Sequence, residues 1–158
     1  MVKKIAALVL GLVVMLSCTA CSSASQDPFV AEFSRKTKQQ FETFQKEPDS
    51  EDIWALRKGD ARVDILCGYK GGVKLKSLDS VSVHVDKSLG NEALKSYFRI
   101  ALEILGIPET EIKKALENDS DFPEKVTSSL NGLTYLASCD VTDDRYDSNN
   151  FIISLYDN

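Results

Sequence analysis

From Ser80 to Asp86 the chain reads SVSVHVD, a strict alternation of valine with a polar residue. Side chains repeat every 2.0 residues on a strand and every 3.6 on a helix, so only a strand puts Val81, Val83 and Val85 on one face. Ser82, His84 and Asp86 then take the other. A strand apolar on one face and polar on the other belongs to an antiparallel sheet covered on a single side. This short stretch reads as a half-buried antiparallel strand.

The neighbouring segments extend that reading. IWAL and ARVDILCGY flank RKGD, which reads as a hairpin turn, and the second strand puts Val63, Ile65, Cys67 and Tyr69 on one face. Gly71-Gly72 permits a reversal into VKLKSL. Asn131-Gly132, between VTSSL and LTYLASCDV, is a strong local hairpin signal. FIISLYD forms the last strand, reached through an acidic loop from Asp143 to Asn150.

Helical segments lie between these strands. Asn91 is expected to cap EALKSYFRIALEIL, where Leu94, Tyr97, Phe98, Ala101 and Leu105 make a wide apolar stripe ended by Gly106 and Pro108. ETEIKKALEN is a shorter helix with Ile112, Ala115 and Leu116 on one side. Near the N-terminus, Asp27 and Pro28 open a helix expected over 28–46, which Pro48 closes. Phe29, Phe33, Phe41 and Phe44 share one face of that helix. The stripe either packs on the sheet, as amphipathic helices normally do, or offers a face for a partner or a bilayer. The order predicts an α+β fold: an antiparallel sheet of about five to seven strands with helices packed mainly on one face.

The first two dozen residues have a different character. Lys3 and Lys4 precede an unbroken apolar run from Ile5 to Leu16, then Ser17, Cys18, Thr19, Ala20, Cys21, Ser22 and Ser23. A run of about twelve apolar residues fits a secretory signal and is too short to span a bilayer. With small residues directly before Cys21, this segment resembles bacterial lipoproteins, in which such a cysteine becomes lipidated and N-terminal. The resemblance implies cleavage after residue 20, acylation of Cys21, with Cys18 as the rival position, and a polar tether through residue 27. A single α+β domain over 28–158 follows. Because that family carries a diacylglyceryl group, the resemblance also implies firm anchoring to a bacterial membrane from outside the cytoplasm.

Composition narrows the partners. The 158-residue chain is 43% hydrophobic and 27% charged, as a globular domain requires. Cleavage after residue 20 removes two lysines and no acid, leaving 17 Lys+Arg against 24 Asp+Glu, a net charge of about −7. That balance argues against nucleic acid, whose phosphates need a basic face, and against general adhesion to anionic lipid.

Candidate chemistry is sparse. Cys67 and Cys139 remain after processing and are expected to face the core, either as a disulfide permitted outside the cytoplasm or as buried thiols. His84, the only histidine, takes the polar phase of its strand, away from both cysteines, so a Cys–His nucleophile pair is not expected. Asp140, Asp143, Asp144, Asp147, Asn149 and Asn150 could offer oxygen atoms to a cation, but they match no EF-hand spacing. There is no phosphate-binding glycine loop and no serine nucleophile motif, and no cofactor or metal is expected. The reading is a lipid-anchored, extracytoplasmic binding module, without catalysis, whose partner is an envelope or extracellular protein. The alternatives are an envelope enzyme using carboxylates or a metal in the acidic loop, and an immunity, exclusion or structural surface lipoprotein.

Overall fold

A computed structural model of the chain describes residues 27–39, 42–44, 53–58, 61–118, 122–140 and 148–156. Its elements are α1 (Pro28–Thr37), β1 (Glu42–Phe44), β2 (Ile53–Lys58), β3 (Ala61–Tyr69), β4 (Leu78–Asp86), α2 (Gly90–Ile104), α3 (Glu109–Glu117), β5 (Glu124–Thr127), β6 (Thr134–Asp140) and β7 (Ser148–Leu155). The seven strands form one sheet in the order β1-β2-β3-β4-β7-β6-β5, every neighbouring pair antiparallel. The last strand inserts between β4 and β6 and closes the α2-α3-β5-β6 excursion back onto the first hairpins.

Register explains why one face is apolar. Ile65, Val83, Phe151 and Cys139 stand in one row across β3, β4, β7 and β6, with Cys67, Val81, Ile153 and Ala137 in the next. The alternation read in SVSVHVD therefore propagates across the sheet. On this face Val63, Ile65, Val81, Val83, Val85, Phe151 and Ile153 are buried, and the helices cover it. The fold is α+β with helices on one side.

Helix α2 supplies Leu94, Tyr97, Phe98, Ala101 and Leu102 to this core, and the rings of Phe98 and Phe151 lie 5.2 Å apart. Its C-terminus turns at Gly106, where φ is +68°. Gly106 N–H donates to the Glu103 carbonyl and Ile107 N–H to that of Leu102, the paired bonds of a Schellman motif. Ile107 is buried, which supplies the motif's apolar contact. Asn91 does not cap α2. A short 3-10 turn over Lys87–Leu89, itself capped by Asp86, leads directly into the helix, and Asn91 instead accepts a bond from Asn149.

The N-terminal helix is shorter than the sequence implies. Asp27 Oδ1 accepts from the amides of Phe29 and Val30, as expected of the cap. The helix stops at Thr37, not near residue 46, because Lys38 adopts a left-handed conformation (φ 56°) and Thr37 turns its hydroxyl back to the Phe33 carbonyl. Glu42–Phe44 pairs with β2 as an edge strand, so Phe44 stands in β1 and not on a helix. Phe29 and Phe33 are fully buried, stacked on each other at 5.7 Å, and Phe33 meets Tyr97 at the same distance. Burying each phenylalanine is worth about 1.5–3 kcal/mol, a sizeable part of a domain's stability, so α1 is structural. Pro48 lies outside the described residues.

Two turns differ in detail. VKLKSL is not a strand: Leu75–Ser77 form a 3-10 turn, and β4 begins at Leu78. The β5–β6 hairpin is closed by six residues rather than by Asn131-Gly132 alone. Gly132 provides the left-handed position (φ 74°), and Leu133 N–H donates to the Asn131 side chain.

Candidate functional site

Two groupings of chemistry-bearing residues emerge, one on each face of the sheet. Beneath α1, Asp27, Cys67 and Tyr69 meet at the end of β3. Tyr69 and Cys67 stand two apart on the same face, and the Tyr69 hydroxyl donates to Asp27 Oδ1 at 2.7 Å. Burial pushes the Cys67 thiol far above its ordinary range, and the Asp27 charge beside it pushes the same way. Burial likewise raises Tyr69, together with its bond to Asp27. Cys139 is pushed up to about 11 by burial, with Lys95 partly offsetting the effect. A nucleophilic cysteine needs a depressed pKa and an accessible thiolate. Both thiols have the opposite character, so the Asp27–Tyr69 pair fastens a helix to a strand and does not activate Cys67.

Of the two alternatives, the disulfide is not made: Cys67 and Cys139 are both free thiols. Register gives the reason. Cys67 lies on β3 and Cys139 on β6, with β4 and β7 between them. Three strand spacings amount to about 14 Å, and a disulfide requires Cα atoms within about 7 Å. Sharing the apolar phase placed both cysteines on one face without making them neighbours.

Among the described residues, no helix packs on the other face. One row across it reads Asp64, His84, Asn150 and Asp140, and the next reads Leu66, Ser82, Ile152 and Ser138. His84 is half-buried, and its Nε2 lies 3.3 Å from Ser82 Oγ. Asp64 is held by Arg62 in an ion pair along β3. Ile152, on the interior strand β7, is 43% exposed between Ser82 and Ser138. His84 and the two thiols stand on opposite faces, as their phases require. The arrangement can donate and accept hydrogen bonds around an apolar centre, which is the chemistry of contact with another surface.

The remaining sequence-derived positions divide. Cys18, Cys21, Phe41, Asp143, Asp144 and Asp147 lie outside the described residues. Phe29 and Phe33 are core and form no partner-binding surface, which corrects that reading of the stripe. Asn149 and Asn150, grouped in the acidic loop by sequence, belong to β7 and point to opposite faces: Asn149 is buried and bonded to Asn91, and Asn150 is on the open face. Among the described residues, no three His, Cys, Asp or Glu side chains gather to hold a metal ion.

Sequence reasoning missed the loop between β3 and β4. Lys70, Lys74 and Lys76 are exposed there with Val73, and the KGGVKLK composition was the available signal. No family model matches this chain, and neither a curated protein nor a solved structure matches it.

Proposed function

We propose that this protein is a lipid-anchored, extracytoplasmic binding module of a bacterial envelope, acting without catalysis. In this reading, acylated Cys21 holds the domain at the membrane and the open sheet face recognises another envelope protein. The address rests on the leader: Lys3 and Lys4, the apolar run Ile5 to Leu16, and small residues before Cys21. The observation that carries the binding role is Ile152, a large apolar side chain exposed on an interior strand of the face on which no described helix packs, and flanked by hydroxyls. An apolar centre with a polar surround is the anatomy of a protein contact. The high thiol pKa values favour binding over covalent catalysis.

Replacing Ile152 by the photo-crosslinker p-benzoylphenylalanine in cells tests the binding role. The expected result is one discrete membrane-dependent adduct, lost when Ser82 and Ser138 are both replaced by lysine. Irradiation giving no adduct at Ile152, or an adduct spectrum unchanged by those lysines, would contradict the role of this face.

A further inference from the structure

We propose that the partner of the open sheet face is a second copy of this chain, set face to face about a two-fold axis along β7. The inference rests on the binding role and the Cys21 anchor proposed above, and names the partner at that face. The anchor selects the direction of the axis. Asp27, the residue before α1, is bonded to Tyr69, the last residue of β3. Cys21 stands six residues upstream, a reach of at most about 20 Å. An axis along the strands keeps the Asp27 ends of both copies on the same side, so both anchors enter one membrane. An axis across the strands sends one Asp27 to the far end of the sheet, about 30 Å away along the nine residues of β3 and beyond that reach. The exposed Ile152 places the axis on β7, where this side chain meets its own counterpart.

Register then fixes what meets what. Rotation about β7 lays β4 of one copy on β6 of the other, and β3 on β5. His84 and Asp140 share the row of Asn150 on either side of the axis, so each His84 faces the Asp140 of the other copy. His84 is half-buried and Asp140 exposed, and an imidazole N–H donating to a carboxylate makes a charge-assisted bond. Asp64, beside His84 in the same copy, is paired with Arg62 along β3. In the next row Ser82 faces Ser138 on both sides of the Ile152 pair. One row further, Leu136 faces Ser80 and Lys125 faces Gly68, a long side chain against a short one each time. The face is therefore complementary to itself in charge and in relief.

The area suffices. The strands β3, β4, β7, β6 and β5 are four to nine residues long and lie about 4.8 Å apart, presenting about 550 Å² per copy. A pair buries about 1,100 Å², above the roughly 1,000 Å² that a specific interface needs. Aligned sheets pack about 10 Å apart, a gap that an imidazole from one side and a carboxylate from the other bridge.

The test uses two full-length copies with different epitope tags, produced together in cells. One carries p-benzoylphenylalanine in place of Ile152, and the other keeps Ile152. Irradiation is expected to give an adduct that holds both tags. His84→Asp in the crosslinking copy alone sets a carboxylate against Asp140 of the other copy. Asp140→Lys in the other copy alone sets an ammonium against His84. Either change should cut the two-tag adduct about tenfold, as unfavourable charge juxtaposition implies. With both changes present, one in each copy, Asp meets Lys and the adduct should return. Its failure to return, or an adduct that joins the crosslinking copy to a different protein, would overturn the inference. The second of these outcomes leaves the binding role of the face standing, whereas the absence of any adduct removes both.

Discussion

The Tyr69 hydroxyl and the Asp27 carboxylate, 42 positions apart, meet at 2.7 Å and join the cap of α1 to the end of β3. One carboxylate oxygen thereby serves two helix amides and a distant strand. Tyr69→Phe should cost about 1–2 kcal/mol, since hydrogen bonds to charged groups are worth more than neutral ones and this one is part-exposed. Asp27→Ala should cost about 2–3 kcal/mol, because the cap is lost as well. Urea unfolding of both single variants and the double variant checks the link: in the Asp27→Ala background, Tyr69→Phe should cost little. Simple additivity would show that the two residues act apart.

Thiol chemistry gives a second expectation. Both cysteines should resist a thiol reagent at neutral pH in the native protein, and both should react at once in urea. The sign of the pH effect follows from Cys139, raised from 9.0 to about 11 on folding. Below about 9 the thiol is protonated in both states and its share of stability is intact. Between 9 and 11 only the unfolded chain ionises, so stability falls as pH rises. The urea midpoint should drop across that window, less steeply in Cys139→Ala.

Glycines in two connections that pack together, Gly106 after α2 and Gly132 in the β5–β6 hairpin, should respond differently to the same change. Gly106 and Gly132 both have positive φ, so alanine costs about 1–2 kcal/mol at either. A Cβ at Gly132 meets nothing within 4 Å, whereas at Gly106 it would lie 3.0 Å from Ser129 Oγ and 3.3 Å from Leu130 N. Thermal melts should therefore rank Gly106→Ala as the more damaging, with a lower Tm than Gly132→Ala.

Helix α3 covers part of the edge strand β5. Thr127 N–H donates to Glu111 Oε2 at 2.6 Å from α3. Glu111→Ala frees that amide on a sheet edge, where unpaired strand groups recruit other chains. The expected cost is about 1 kcal/mol, with concentration-dependent association visible by light scattering. Association unchanged from the wild type would show that β5 needs no such guard.

The sequence was most legible where period and environment agree. SVSVHVD placed Val81, Val83 and Val85 inward and His84 outward, and the stripe of α2 reached the core as its spacing implies. It was less legible where a residue acts against its type. Lys38 ends α1 in a conformation that glycine or asparagine would have announced, so the phenylalanine period ran on past the true stop. Strand order across the sheet is a long-range property, and β7 inserting beside β4 is what separates Cys67 from Cys139. The lysine loop was visible as composition, but its position beside the cap of α1 depends on the Asp27–Tyr69 contact, which no local pattern encodes.

Anchoring at Cys21 is the central claim, and the mass of the mature N-terminus measures it most directly. Protein extracted from the membrane fraction of producing cells, digested and analysed by mass spectrometry, should yield an N-terminal peptide that begins at Cys21 and carries a diacylglyceryl group. Cys21→Ser should abolish that species, and Cys18→Ser should leave it in place. An acyl group on Cys18, or an unmodified mature N-terminus recovered from the aqueous fraction, would contradict the account.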